Sequence, residues 1–253
     1  MKIALIGYGR MGHAIERIAL GRGHEITAIV DPVSGDESNG WDQPGLKEAD
    51  VAIEFSVPNA AEGNYIRLFE AGIPVVSGTT GWLDRLDNVK SSLAKADGTL
   101  FWTSNFSLGV NLFFAINKYV SRLMASVPGV YTPSMKEIHH IHKLDHPSGT
   151  ARSLAEDIVS RTPGVDGWSE EVESGKLHIA HEREGEVPGT HIIKWDSEVD
   201  TITLEHCAHN REGFALGAVV AAEWIGQGQI KGFVGMESFM RYLVADGKLL
   251  DVL

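Results

Sequence analysis

Cysteine occurs once in the 253 residues, at Cys207, so no internal disulfide can hold the fold and stability must come from a packed core. Long apolar runs are missing too. Segments such as Leu216–Ala222 are cut short by glycines and charges, far below the ~20 residues a helix needs to cross a bilayer. Basic residues are few: 22 Lys and Arg stand against 34 Asp and Glu, a formal charge of −12. That balance repels phosphate backbones and anionic membranes, so neither nucleic acid nor a membrane is an expected partner, and any anionic ligand must be held by local groups. Met1 leads directly into a strand pattern rather than a charged and then apolar leader, which together with the lone cysteine makes a cytoplasmic location the expectation. What is present is ordinary for a globular protein: 43% hydrophobic and 22% charged residues, enough for one large core or two modest ones.

Short apolar runs at Ile3–Ile6, Ile26–Val30, Val51–Phe55, Val75–Val76 and Leu100–Trp102 read as strands. Between them, Ala14–Leu20 and Ala60–Ala71 carry apolar residues at helical spacing, the second closed by Gly72 and Pro74. This alternation predicts a parallel sheet wrapped by helices. After Asn105 the rhythm changes. Leu108–Met124 reads as a buried helix, followed by strand-like runs at Ser134–His142, Lys176–Arg183, His191–Trp195 and Thr201–Cys207, with turns at Gly175, Gly185, Pro188 and Gly189. Val199–Glu205 alternates as a sheet with one wet face should. Helical spacing returns from Phe214, and this tail is expected to pack back on the first half.

The run Lys2–Ile6 feeds straight into Gly7-Tyr8-Gly9-Arg10-Met11-Gly12, a G-x-G-x-x-G spacing at the start of a helical pattern. Such glycines allow a tight turn and close backbone approach to a pyrophosphate, while the helix start supplies amide donors. Asp31, 19 residues past Gly12, ends the next strand where a carboxylate accepts from ribose hydroxyls. The loops Gly78-Thr79-Thr80-Gly81 and Thr103-Ser104-Asn105-Phe106 follow two further strands, at the sheet edge where ligands bind; ordinary turn chemistry accounts for these residue types as well. The expected fold is α/β: a Rossmann-like nucleotide-binding domain, residues 1–106 with 212–253, and a second α+β domain, residues 107–211, built on a mostly antiparallel sheet.

Glu137–Thr150 reads E-I-H-H-I-H-K-L-D-H-P-S-G-T, with four histidines and a lysine beside a small-residue turn. On a strand, period two sends Glu137, His139 and Ile141 to one face and His140 and His142 to the other, so His139 and His140 share a site only if the strand ends or bulges near them. A histidine donates a proton near neutral pH, and a lysine neutralises a carboxylate or supplies a second proton. Ser148-Gly149-Thr150 precedes a helical pattern from Ala151, so its amides and hydroxyls suit an anion as well as a helix cap. Two other readings stand at this point: a metal site built from His139, His140, His142 and His146, which lacks a recognisable zinc spacing, and a solvated polar strand.

The phosphate loop G-Y-G-R-M-G, the loop G-T-T-G-W, the run N-F-S-L-G-V-N from Asn105, the string H-H-I-H-K-L-D-H-P-S-G-T from His139 and the late R-E-G-F-A-L-G-A from Arg211 together resemble the dihydrodipicolinate reductases over essentially the whole chain. The resemblance implies reduction of a cyclic imine dicarboxylate by NADH or NADPH, with His139 as catalytic acid and Lys143 as its partner proton donor. It implies that His140, Ser148, Gly149, Thr150 and Thr80 bind the substrate, that no metal takes part, and that the chain forms a homotetramer through its second domain. The phosphate loop is one residue tighter than in many members, and Pro32 follows Asp31 where some carry an arginine. Because Asp31 repels a 2′-phosphate, and Pro32 to Glu37 add negative but no positive charge, NADH is the expected preference. A dehydrogenase of an aspartate-derived metabolite and a non-catalytic nucleotide sensor are the competing functions; the His-His and Pro-Ser-Gly-Thr signature opposes the first, and the presence of His139 and Lys143 the second.

Overall fold

In the first unit, strands β1 (Lys2–Ile6), β3 (Val51–Glu54), β4 (Val75–Ser77) and β5 (Thr99–Trp102) bury nearly every residue, as parallel strands covered on both faces must. With β2 (Glu25–Val30) and β11 (Gly232–Val234) they form one parallel sheet in the order β11-β5-β4-β3-β1-β2. The structure, a computed structural model, describes residues 1–31, 40–210 and 212–245. They divide into two units: Met1–Leu108 with the residues from Glu212 onward, and Gly109–Asn210. Period two along β1 splits the first unit's core. Ile3 and Leu5 pack with α1 (Arg10–Gly21), α6 (Glu212–Ile225) and α7 (Met236–Ala245), whereas Ala4 and Ile6 pack with α2 (Pro58–Glu70) and α3 (Leu86–Lys95). Between β2 and β3 the described residues hold only a 3-10 turn, Pro44–Glu48, so β2 is an edge strand. Strand order reverses between β1 and β3, and the carboxyl ends of such a pair flank a ligand crevice.

The tail from Glu212 does return to this sheet. Helix α6 is apolar nearly all round, and a Cβ on its Gly217 would stand 1.8 Å from the Phe106 carbonyl oxygen, so only glycine lets the helix lie this close.

The second unit packs α4 (Leu108–Ala125, from Gly109) and α5 (Gly149–Val159) with a five-stranded sheet ordered β10-β9-β6-β8-β7. Its strands are β6 (Thr132–His139), β7 (Trp168–Ser169), β8 (Leu177–Arg183), β9 (Thr190–Asp196) and β10 (Thr201–Cys207). The core gathers Phe113, Met135, Leu154, Ile158, Ile179 and Trp195. The sheet is mixed rather than mostly antiparallel: β10-β9-β6 pair antiparallel, but β6-β8-β7 pair parallel. The reason lies in the connection. The chain leaves β6 through helix α5 before returning as β8, and a crossover of that length permits a parallel neighbour. Strand β6 also stops at His139, short of the expected His142, because Lys143 N–H turns back to the His140 carbonyl at 3.1 Å. No helix among the described residues is long and apolar enough to cross a membrane.

Candidate active site

The glycine loop sits where β1 hands over to α1. Gly7 has φ +90°, and a Cβ there would lie 2.2 Å from the Phe55 carbonyl oxygen, so the turn excludes every side chain. Gly12 packs α1 onto the same loop, its would-be Cβ 2.6 Å from the Gly7 carbonyl oxygen. At Gly9 the same position meets open space, and Gly9 caps α1 with no side chain of its own and no acidic residue in the first turn. The first amides of α1 are therefore directed at a space suited to an anion. Asp31 closes the far side: its Oδ2 accepts from the Tyr8 amide at 2.9 Å, which ties the end of β2 to the loop. Arg10 is exposed and Met11 half-buried beside it. Pro32 to Glu37, on which the cofactor preference partly rests, lie outside the described residues, as does Arg211.

Gly78, Thr79 and Thr80 leave the carboxyl end of β4, and Thr103 to Phe106 that of β5, so both loops share the sheet edge with the glycine loop. Two of the expected contacts change character. The Thr79 side chain is buried, donating to Glu54 Oε1 at 3.0 Å and accepting from the Ser56 amide at 2.9 Å, while its carbonyl takes both the Trp82 and Trp102 indole N–H groups. Phe106 is sealed in the core against Phe55 and Phe101. The Thr79 amide is engaged as well, donating to Ser77 Oγ at 3.2 Å, so Thr79 shapes the loop from within, whereas Thr80 and Ser104 are exposed. Thr103 accepts from the Asn105 amide at 3.2 Å and Asn105 from the Ser107 amide at 2.9 Å, which folds their loop. Glu54, fully buried and also bonded by Ser77 Oγ at 2.6 Å, anchors the threonine loop; it was not legible beforehand because its partners come from β4 and the loops around it.

In the second unit, β6 sends Glu137 and His139 to its buried face. Glu137 is the hub. Its Oε2 accepts from the Ser148 amide at 3.0 Å and lies 3.6 Å from His139 Nδ1 and 3.9 Å from His191 Nε2, while its Oε1 meets an Arg183 nitrogen at 3.3 Å. Neighbouring strands deliver the partners: His191 on β9 faces Glu137 in register, and Arg183 on β8 faces His139. The His139 and His191 rings meet edge-on at 5.1 Å, and Gly189 leaves room for His139, a Cβ there falling 3.0 Å from Nε2. Ser148 caps α5, accepting from the Ala151 amide at 3.1 Å, and its hydroxyl stands 3.2 Å from His191 Nε2. Gly149 and Thr150 begin α5, where helix geometry leaves amides unbonded within the helix. Lys143 pairs with Asp145 at 2.6 Å, and its carbonyl accepts from Arg183 Nε at 3.1 Å. His140 follows the strand end, half-buried, with its Nδ1 unpartnered. Sequence reading placed Glu137 on the His139 face but assigned it no role, and it passed over Arg183 and His191.

The electrostatics follow from this packing. Burial would push the Glu137 carboxyl up, but hydrogen bonding from Ser148 and the adjacent His139 and His191 hold it below the usual range. Burial pushes His139 down; Glu137 opposes this, while Lys143 and Arg183 reinforce it. Burial, aided by His139, takes His191 down to about 4. An unfolded His191 protonates near 6.5, so the unfolded chain binds the extra proton between the two values. The stability from keeping His191 neutral is therefore complete above about pH 6.5 and is lost as pH falls toward about 4, by on the order of 3 kcal/mol. Urea unfolding of the protein and of His191→Gln at several pH values should show a shallower acid slope for the variant; identical slopes would refute this assignment.

A parallel sheet with an open glycine loop, joined to a unit carrying a buried acid-histidine cluster beside a helix start, defines a two-domain nicotinamide-dependent oxidoreductase. Residues 1–106 match the family model for the N-terminus of dihydrodipicolinate reductase and residues 109–240 that for its C-terminus, so the chain belongs to the dihydrodipicolinate reductase family. A 4-hydroxy-tetrahydrodipicolinate reductase of Christiangramia forsetii is 44% identical over 89% of this chain and 92% of its own. One from Archaeoglobus fulgidus is 33% identical over 95% of this chain and 100% of its own. Among solved structures, dipicolinate-bound dihydrodipicolinate reductase from Paenisporosarcina sp. TG-14 shares the fold with TM-score 0.70 at 21% identity, over 93% of this chain and 97% of that one.

Proposed function

We propose that the protein reduces 4-hydroxy-tetrahydrodipicolinate, by way of its dehydrated cyclic imine, to tetrahydrodipicolinate in diaminopimelate and lysine biosynthesis. Family membership supports the reaction, and the Glu137–His139–His191–Ser148 cluster beside the start of α5 is the observation that carries the reading of the site. The first unit supports nucleotide binding: at Gly9 a Cβ would meet open space at the start of α1, and Asp31, bonded to the Tyr8 amide, is the proposed partner of the ribose. When bound, the reduced nicotinamide supplies a hydride. Gly78 to Thr80 and Thr103 to Phe106 border the same edge.

His139 is the proposed proton donor to the ring carbon next to the one reduced, with Lys143 assisting. In the free protein burial holds His139 mostly neutral near pH 7; two substrate carboxylates reverse that balance and favour its protonated form. The Gly149 and Thr150 amides, the Thr150 hydroxyl, His140 and Lys143 are the proposed carboxylate partners. Ser148 sets the start of this helix, its amide being engaged by Glu137. An acidic protein thus gathers a dianion by local donors.

The cofactor preference is proposed to be NADH over NADPH: a carboxylate at the end of β2 beside the glycine loop, as Asp31 is, accepts from ribose hydroxyls and repels a 2′-phosphate. Oxidation of each cofactor, coupled to freshly made dihydrodipicolinate synthase product, tests both statements. The expected result is turnover with a higher kcat/KM for NADH; no turnover removes the reaction, and a strong NADPH preference removes the role given to Asp31.

The second unit is also the proposed assembly surface. Along α4, Leu112, Ile116, Tyr119 and Leu123 stand exposed at helical spacing, and β10 is an edge strand with exposed Ile202. Covering both suits a homotetramer. Light scattering at micromolar protein should give four times the 27.5 kDa chain mass, and a 27.5 kDa particle would exclude assembly. A cytoplasmic location is proposed with it, in keeping with the exposed free thiol of Cys207.

A further inference from the structure

A second histidine cluster lies in the second unit, outside the groups used above. His146, in the turn before α5, and His181, on β8, both direct Nδ1 at one oxygen of Glu170, which follows β7: the separations from Glu170 Oε2 are 2.6 and 3.0 Å. The two imidazoles stack at 4.3 Å between centroids with planes 17° apart. Three donor atoms from three separate elements all lie within 4.8 Å of one another, and the side chains are half-open to solvent.

We propose that His146, Glu170 and His181 form a binding site for a divalent late transition metal of the zinc class, with water completing the coordination. Two imidazole nitrogens and a carboxylate oxygen are a three-ligand set that zinc uses. Tetrahedral coordination at about 2.0–2.1 Å sets ligand atoms roughly 3.3 Å apart. The present spacings of 2.6 and 3.0 Å therefore need to open by less than about 1 Å, within the rotamer freedom of half-exposed side chains. Imidazole donors favour zinc, nickel or copper over magnesium or calcium, which require oxygen ligands. The −12 charge of the chain favours cation accumulation in general.

The place gives the site a consequence. His181 is the register partner of Glu137 on the neighbouring strand, and His146 is bonded to Pro147, next to Ser148. A metal here clips the turn that begins α5 to strand β8 and adds positive charge beside the proposed carboxylate partners.

The test is calorimetric titration of zinc chloride into full-length protein stripped with a chelator, with cobalt absorption as a second readout. The expected result is one equivalent of zinc per chain, no response to magnesium chloride, and a visible cobalt band. Loss of a partner that only orients a ligand costs about 10–100-fold in affinity, so His181→Ala and Glu170→Gln should each weaken zinc by about 100-fold or more and abolish the cobalt band. His191→Gln should leave binding intact. The proposal is overturned by absence of zinc binding in the parent protein, or by binding that survives His181→Ala and Glu170→Gln. Loss of zinc in His191→Gln alone would overturn it too, by assigning the metal to the buried Glu137–His139–His191 group.

Discussion

His139→Gln and Lys143→Ala are each expected to lower turnover by roughly 100-fold or more, the scale on which a positioned acid or base contributes. His139 is held on three sides: its Nδ1 faces Glu137 at 3.6 Å, its ring meets His191 at 5.1 Å, and Gly189 leaves it space at Nε2. Glutamine can occupy much of that volume but cannot deliver the proton. Lys143 is held in the turn after β6 by its carbonyl's bond to Arg183, and its ammonium pairs with Asp145, for which a substrate carboxylate can compete. If both groups serve one protonation step, the double variant should lose less than the product of the single losses. Nucleotide binding should be unchanged in all three, since the proposed nucleotide contacts belong to the first unit. Steady-state kinetics beside nucleotide titration decides the matter, and near-normal turnover in both single variants would remove these residues from the mechanism.

The second large effect concerns Glu137, which touches no proposed substrate atom and acts through its neighbours. Glu137→Ala leaves the Ser148 amide without its acceptor and removes a buried partner of Arg183, a class of change that costs about 3–5 kcal/mol. Arg183 keeps the carbonyls of Lys143, Glu182 and Asp145, which places the expectation toward the lower end. Glu137→Gln separates positioning from packing. It preserves volume but removes the charge that raises the His139 pKa, so His139 loses its proton at lower pH. An acid must be protonated to act; the activity of the Gln variant should therefore fall away at lower pH than that of the parent enzyme. A purely structural Glu137 would lower stability in urea without moving the kcat/KM profile against pH, and an unmoved profile would reject the positioning role.

Much of the fold was legible because it is written in short-range periodicity. The continuous apolar runs of β1, β3 and β4 announce a sheet covered on both faces, and the glycines at 7, 9 and 12 announce a strand-to-helix turn open to an anion. The string from His139 to Thr150 brings an acid, a lysine and a helix start within one stretch of chain, so most of the candidate site needed no tertiary information.

What stayed hidden depends on pairing between distant segments. Antiparallel β9 sets His191 opposite Glu137, and parallel β8 sets Arg183 opposite His139; neither register can be read from alternation, which specifies a face but not a partner. The mixed sheet, the burial of the Thr79 and Phe106 side chains, and the anchoring of the threonine loop by Glu54 share that origin. Local sequence thus marked most of the strands and helices around the candidate site, though not α3, β7 or β11, and the residue types proposed to act there. Tertiary structure alone decided which of those side chains meet, because burial and register arise only when segments remote in the chain pack together.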